Sequence, residues 1–443
     1  MHHLIKSAMA LIAAVLLCSA GGCGGSASDG GQSANSSTGQ TTGDTLAGST
    51  VARDVSPQAT DAELSAVVAG TTDFALKLFP LLDTTSTENT FFSPYSITQA
   101  FSLLAPGVRG TTLSQIEQTL YFPLSIERRN SALNRLEQLL TGRTAGTILP
   151  GGLQGPKMTN ANALWGQRGF TILPAYLDTL ALNFGAGLHL VDFIAATEAS
   201  RQTINSWVEG QTNNRIQNLI PLNGVTVDTR LVLTNAVWFK ANWATQFSKG
   251  NTANREFTNA GNSTTSVPFM RQTVSLPYAE TAGCKAVDIP YAGNNLSMLV
   301  MMPAAGTEKD FTTSLTPSRL ADIIKQLSPK LLDYSMPRFT FTKASPVGTH
   351  LKSLGMTDAF DPSKADLSGI DGRRDLYVSD VFHKAFIAVD EEGTEAAAAT
   401  AISVGVTSMP LQPQLLTIDH PFLFLIRDRQ TGLILFMGKV VAL

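Results

Sequence analysis

The spacing of apolar side chains predicts helices in three parts of the chain. The first helix follows Ser93 and Pro94, which suit an N-cap and the first helical turn. Its apolar face consists of Ile97, Ala100, Phe101 and Leu104. A capping box of Thr112 and Gln115 predicts the second helix, and the third contains Ile204, Trp207 and Val208.

Runs of apolar and β-branched residues predict strands between and after these helices. The candidate strands span Thr229–Lys240, Asn295–Met302, Tyr334–Phe341 and Tyr377–Val389. Two further runs, Phe422–Ile426 and Leu433–Val441, end the chain, and the polar residues 428–432 between them favour a hairpin turn. Helices and strands are interspersed without a regular βαβ order, which favours an α+β fold with mixed or antiparallel sheets.

The amino terminus has the pattern of a targeting segment. An apolar run from Ala8 to Leu17 follows Lys6 and is too short to span a membrane, which is typical of a signal peptide. Small residues then precede Cys23, as at the cleavage site of a bacterial lipoprotein. We therefore expect a signal peptide at 1–22 and a lipid on Cys23. Plain secretion with cleavage after Ala20 is the alternative.

Residues 23–58 are rich in glycine, serine and threonine and hold almost no large apolar side chains. Such a segment cannot bury enough surface to fold, so it is predicted to be a disordered tether ahead of a domain at 59–443. The expected location is beyond the inner membrane, as an envelope or surface lipoprotein anchored in the membrane or as an extracellular protein.

Composition narrows the function. The 443 residues are 43% apolar and 15% charged with a net charge of −3, and no basic patch predicts nucleic-acid binding. The three cysteines include two at the amino terminus, so Cys284 stands alone and no internal disulfide is expected.

Motifs for catalysis are missing from the sequence. It has no Gly-x-Ser-x-Gly elbow and no His-Glu-x-x-His helix, and its six histidines lack ligand spacing. We therefore expect no catalytic residues, no bound metal and no cofactor, and a protein that is not an enzyme.

One segment, residues 391–410, has an unusual pattern. Glu391, Glu392 and Gly393 favour a turn, and the positions after them alternate between small or branched apolar residues and small or polar ones. Four consecutive alanines are nevertheless weak strand formers. A loop that can later insert as a strand fits this composition, and an alanine-rich helix or linker is the plainer interpretation.

This segment resembles the reactive-loop hinge of inhibitory serpins, and the resemblance extends from about Ala62 to Leu443. It is carried, in the family's order, by segments 89–97, 107–116, 204–216, 234–243, 383–386 and 419–424. Asn214 and Arg215 replace the usual Gly-Lys pair. The resemblance implies the serpin fold: three β-sheets, about eight or nine helices and an exposed reactive-centre loop.

The family mechanism implies a suicide substrate for a serine-type protease. The protease would form a covalent acyl-enzyme with a monomeric inhibitor, and the cleaved loop would insert into the main sheet. An elastase-like or subtilisin-like protease suits the residues around the expected bond. A non-inhibitory serpin that binds or carries a ligand at the surface is the alternative.

The resemblance assigns three sets of residues. The hinge consists of Glu391, Glu392, Gly393, Thr394, Ala396, Ala397, Ala398, Ala399 and Thr400. The reactive bond is expected between Thr407 and Ser408, with Val406–Thr407 as the chief alternative. The region that opens the sheet consists of Ser93, Ser96, Asn235 and His383, with Trp243 where insertion begins.

Overall fold

The computed structural model describes residues 43–83, 87–150, 152–281, 283–394 and 412–443. The α-helices in these ranges are α1 (Asp61–Leu82), α2 (Pro94–Leu104), α3 (Gly110–Thr119), α4 (Ile126–Arg143), α5 (Pro174–Phe184), α6 (Thr197–Gln211), α7 (Glu308–Thr313), α8 (Pro317–Gln326), α9 (Val347–Ser353) and α10 (Ser368–Asp371). Single turns of 3₁₀ helix lie at Ala105–Gly107, Lys249–Asn251 and Asp358–Phe360.

The strands in the same ranges are β1 (Thr45–Ala47), β2 (Thr90–Phe92), β3 (Lys157–Gln167), β4 (Leu188–Val191), β5 (Leu231–Asn242), β6 (Ala253–Thr258), β7 (Thr264–Thr281), β8 (Cys284–Pro290), β9 (Leu296–Pro303), β10 (Ser328–Pro337), β11 (Phe339–Ser345), β12 (Val378–Val389), β13 (Gly393–Thr394), β14 (Gln414–Thr417), β15 (Phe422–Asp428) and β16 (Ile434–Val440).

Two hydrogen-bonded networks of strands form the body. The central sheet has the order β1-β4-β3-β5-β13-β12-β11, and the other network runs β14-β10-β7-β8-β9-β15-β16-β2, with β6 beside β7. The 18-residue strand β7 pairs with β6 at one end, with β10 along its middle and with β8 at the other end. It therefore joins the second and third sheets of the expected α+β serpin fold into one continuous network.

Local sequence explains the helix that supports the central sheet. Ser93 caps α2 by accepting a bond from the Ser96 N–H, and Pro94 occupies its first turn. All residues of α2 are buried, because it packs against β3, β5 and β16. This first predicted helix is confirmed.

The second predicted helix begins earlier than its capping box suggested. Helix α3 begins at Gly110 and has no side-chain cap. Thr112 is buried, and its hydroxyl accepts a bond from the Asp366 N–H at 3.1 Å. Gln115 accepts from the N–H groups of Thr357 and Asp358. These side chains thus serve tertiary contacts instead of a helix terminus.

The predicted C-terminal hairpin is confirmed and forms much of the core. All residues of β15 and β16 are buried. Asp428 accepts bonds from the N–H groups of Gln430 and Thr431, and Gly432 has a φ of 79°, which glycine adopts readily. Helix α1 is apolar enough to cross a membrane by composition alone, but Phe74 and Phe79 are buried in the same core.

Residues 43–58, which we name the N-terminal strap, lie against the domain. Strand β1 pairs antiparallel with β4, and the Asp54 N–H donates to the Leu182 carbonyl at 2.8 Å. Arg53 donates to Asn134 and to Glu137. Backbone pairing and Arg53 therefore hold residues 43–58 of the expected tether against the domain.

Candidate functional site

The described hinge residues, Glu391–Thr394, leave β12 in a tight turn. Asp390 Oδ1 accepts bonds from the N–H groups of Glu392 and Gly393, at 2.9 and 3.2 Å. A Cβ atom at Gly393 would lie 1.9 Å from the carbonyl oxygen of Ala241 in β5. Only glycine permits this close approach of two backbones.

After this turn, Gly393 and Thr394 form a short strand, β13, between β5 and β12. Thr394 opposes Ala241 of β5 and Val389 of β12 and is antiparallel to both. Further along, β5 and β12 pair directly with each other in parallel, from Leu231 to Trp238 on β5. The central sheet is therefore split at one end, which we call the hinge end, and closed beyond it.

Aromatic side chains contact Thr394 and the turn that precedes it. Thr394 is buried, and its hydroxyl shares a 2.7 Å hydrogen bond with the Tyr291 hydroxyl. Tyr291 stacks on Trp243 with ring centroids 4.7 Å apart. The Trp243 indole N–H donates to the Asp390 carbonyl at 2.9 Å, and its backbone N–H donates to the Glu392 carbonyl at 2.8 Å. Trp243 thus binds the turn on both sides.

The two hinge glutamates are buried, although the sequence pattern favoured a charged turn. Glu391 is 1% exposed and accepts bonds from Arg338 and Thr252. Burial alone would raise the pKa of Glu391, but these bonds outweigh it and hold the pKa below its ordinary value. Glu392 accepts from Lys249 at 2.5 Å, and its Oε2 has no partner among the described residues.

A buried polar cluster lies where the sheet is closed. We call it the latch, and it consists of Ser93, Ser96, Asn162, Asn235 and His383. Asn235 and His383 are directly opposite in the β5–β12 ladder, and their side chains are hydrogen bonded. Asn235 Nδ2 donates to Ser96 Oγ at 2.7 Å and to Asn162 Oδ1 at 2.9 Å.

Burial fixes the protonation state of His383. It lowers the pKa of His383 to about 3, so the ring is neutral near neutral pH. Its Nε2 accepts a bond from the Ser93 N–H at 3.3 Å, so the ring proton must be on Nδ1, which donates to Asn235 Oδ1. Both ring nitrogens are therefore satisfied only while β5 and β12 remain side by side.

The structure brings together the four predicted residues Ser93, Ser96, Asn235 and His383, and places Trp243 beside the hinge. Sequence reasoning missed Asn162 and Tyr291. A polar residue at an alternate position of β3 was the available signal for Asn162. The predicted residues Ala396, Ala397, Ala398, Ala399, Thr400, Thr407, Ser408 and Cys23 lie outside the described residues.

The arrangement offers no chemistry of its own for a metal. Within the residues that the structure describes, no three histidine, cysteine or acidic side chains are grouped to hold an ion. Cys284 is free and buried, and burial raises the pKa of its thiol. The features that the structure does show here are a split sheet, a strand in the split and a polar latch beyond it.

Comparison with known proteins identifies the family. Residues 69–443 match the model of "Serpin (serine protease inhibitor)". The chain is 37% identical to the human leukocyte elastase inhibitor over 382 residues, which cover 83% of this chain and 97% of that protein. It is 36% identical over 356 residues to an uncharacterized serpin-like protein of Thermococcus kodakarensis, which cover 80% of each chain.

A solved structure agrees with this result. The thermophilic serpin tengpin in its native state superposes with a TM-score of 0.75 at 31% identity, covering 85% of this chain and 94% of that one. The chain belongs to the serpin family.

Proposed function

We propose that the protein inhibits a serine-type protease as a suicide substrate and traps the acyl-enzyme by inserting its cleaved loop between β5 and β12. Protease inhibition is the activity named in the family description and in the name of the human relative. Strand β13 is the observation that carries the finer mechanism, because it already occupies the gap that the loop would fill.

The register of β13 extends along the gap. Each further residue of an inserted strand would oppose one residue earlier in β5 and in β12. Residue 400 would then lie between Asn235 and His383, which oppose each other now. Its neighbours 395–407 would span about 43 Å at ~3.3 Å per residue. A protease bound to residue 407 would be carried to the far end of the sheet.

The side chains suit such an insertion. Thr394 points into the core, so residues 396, 398, 400, 402 and 404 would point the same way. The first two are alanines that a narrow gap admits, and Ile402 and Val404 would each gain about 1.5–3 kcal/mol on burial. Thr400 carries a hydroxyl, which can accept from His383 and donate to Asn235.

The chemistry is that of an interrupted proteolysis. The protease serine attacks the Thr407 carbonyl carbon, an ester forms, and the peptide bond to Ser408 breaks as its nitrogen takes a proton. Water would normally hydrolyse the ester. Insertion of residues 395–407 displaces the protease before that step. The inserted strand then holds the protease there, helped by the hydrogen bonds that Thr400 makes to Asn235 and His383.

Incubation of the full chain with elastase-like and subtilisin-like proteases tests the proposal. We expect a band at the summed mass that survives boiling in detergent, and a released carboxy-terminal peptide that begins at Ser408. A released peptide that begins at Thr407 would instead place the reactive bond between Val406 and Thr407. Cleavage of the loop without a covalent band across the panel would instead favour a non-inhibitory serpin that binds or carries a ligand.

The location is a separate proposal. We place the protein outside the inner membrane, as a lipoprotein anchored through Cys23 after removal of residues 1–22. Metabolic labelling with a radioactive fatty acid should mark the chain, and Cys23→Ser should abolish the label. An unlabelled wild-type chain in the culture medium would support plain secretion.

A further inference from the structure

A cavity of about 310 Å³ opens beside β3, on the side away from β5. It exists because β4 pairs only with Trp165–Gln167 and residue 145 bridges to Lys157, so the middle of β3 has no paired strand on that side among the described residues. The turn at residues 185–187 and Leu46 of the N-terminal strap form one wall. The volume lies at the lower limit for sites that hold small organic molecules.

One polar atom of this cavity lacks a donor. Asn160 lines it, and its side-chain Oδ1 is buried without a partner among the described residues. Such an atom destabilises the fold when it is left unpaired. Glu137 lines the same space, receives a bond from Arg53 at 3.0 Å, and has a side chain that is 32% exposed. Burial raises the pKa of Glu137 above its ordinary value.

The remaining lining is apolar or aromatic. Leu103 and Phe184 contribute alkyl and ring surface, and the rings of His189 and Trp207 lie 5.3 Å apart, edge to face. An occupant would therefore carry N–H donors at one end and an apolar body at the other. Flat aromatic faces also attract a cation.

We propose that this cavity binds a small primary amine with an apolar body, and that the bound amine acts on the opening of the sheet. The amine donates to Asn160 Oδ1 and to the Glu137 carboxylate, and the body lies among Leu103, Phe184 and Trp207. The second half of the proposal rests on the proposed inhibitory function, whereas binding itself does not.

A direct connection couples the cavity to the latch. Asn162 lines the cavity, and its Oδ1 accepts bonds from Ser96 and Asn235. Its Nδ2 donates to the Ser96 carbonyl at 3.1 Å. Insertion of the loop must separate Asn235 from His383, and β3 with Asn162 moves together with β5 because these two strands stay paired. An amine that fills the space behind Asn162 restrains this movement and slows trapping.

The test titrates the full chain with phenethylamine in the absence of protease, following tryptophan fluorescence and thermal unfolding. We expect a Kd below about 1 mM. The trimethylammonium analogue keeps the charge but has no N–H donor, and should bind at least tenfold more weakly. Asn160→Leu, which removes the acceptor, and Ala163→Met, which fills the cavity, should do the same. Leu182→Ala, on the exposed side of α5, is the matched control.

Two results would overturn the proposal. The site is refuted if phenethylamine fails to bind below about 10 mM, or if it binds equally well to both cavity variants. The coupling is refuted if saturating amine leaves the rate of covalent complex formation unchanged, with the protease's own activity measured alongside. If the chain binds the amine but forms no complex with any protease, the proposed function is refuted and the amine site is not.

Discussion

The two ends of the gap between β5 and β12 are held in different ways. At the hinge end, charged side chains take part in the contacts: Glu391 binds Arg338, and Glu392 binds a lysine whose side chain is 64% exposed. At the latch, Asn235 and His383 are neutral and fully desolvated. Under the proposed mechanism, the difference predicts that the sheet opens from the hinge end, where the lysine is already in solvent, and resists at the latch, where both side chains are buried.

Breaking the hinge end should have the largest effect. Thr394→Arg places a guanidinium in the buried site beside Tyr291, where the partner of the Thr394 side chain is a neutral hydroxyl. Burying an unpaired charge costs several kcal/mol. We expect loop cleavage to continue while the yield of covalent complex falls about 100-fold or more, measured by denaturing gel electrophoresis.

The matched control is Thr313→Arg, which adds the same charge on an exposed turn of α7 and should leave trapping unchanged. A boil-resistant complex formed by Thr394→Arg would contradict loop insertion as the mechanism.

Breaking the latch should have the next largest effect. His383→Leu leaves Asn235 Oδ1 and the Ser93 N–H buried without partners, at about 1–3 kcal/mol each. We expect the uncleaved chain to lose inhibitory activity during incubation at 37 °C at least ten times faster than the wild type, because the closed part of the sheet opens more easily. Residual inhibition measured against time tests this.

His350→Leu, which removes a partly buried histidine from α9, controls for the general cost of such a change. Equal decay rates for His383→Leu and the wild type would show that the latch does not limit opening.

Acid should weaken the latch without any mutation. The folded pKa of His383 is about 3, below its ordinary value of 6.5, so the unfolded chain takes up the proton first as the pH falls. The free energy of unfolding should therefore decrease from pH 6.5 downward and level off near pH 3, with a loss of about 2 kcal/mol at pH 5. Thermal unfolding across this range measures it.

Two groups at the hinge end contribute slopes of opposite sign to this profile. Burial raises the pKa of Asp390 while that of Glu391 is lowered, so their contributions oppose each other. His383→Leu should flatten the profile between pH 6.5 and 3. An unchanged slope in that variant would assign the acid sensitivity to other groups.

Removing the exposed partner at the hinge end should have the smallest effect. Lys249→Ala deletes an ion pair whose cation is mostly in solvent, so we expect only a small fall in the midpoint of thermal unfolding and unchanged trapping. Thermal unfolding compares it with Lys325→Ala, which removes an exposed lysine on α8. A fall clearly larger than that of Lys325→Ala would show that Glu392 depends on this lysine more than the comparison of the two ends implies.

The latch could largely be predicted from sequence, and its surroundings could not. Ser93, Ser96, Asn235 and His383 lie in segments that resemble family motifs. Asn162 escaped notice because β3 alternates Asn160 and Asn162 with alanines and so lacks the apolar signal of a strand. Its partners come from α2 and β5, which are distant in sequence.

The contacts of the hinge could not be predicted from sequence either, because their partners are also distant in the chain. Arg338 and Thr252 are 53 and 139 residues from Glu391, and no periodic pattern links them. The predicted strand Tyr334–Phe341 also divides at Arg338, because β10 ends at Pro337 in one network and β11 begins in the other. Apolar periodicity locates a strand but does not reveal which sheet it joins.

Under the proposed mechanism, the way β14 is held should affect the working lifetime of the uncut protein. Among the described strands, β14 pairs only with β10, in parallel, over four residues. Leu415 is exposed and Leu416 is buried, so one apolar side chain of the strand resists its release. For the uncut chain to fill the gap between β5 and β12, this edge strand would have to detach, whereas a cut chain would need no such step. We therefore expect the stability of the unused inhibitor to depend on β14 as well as on the latch.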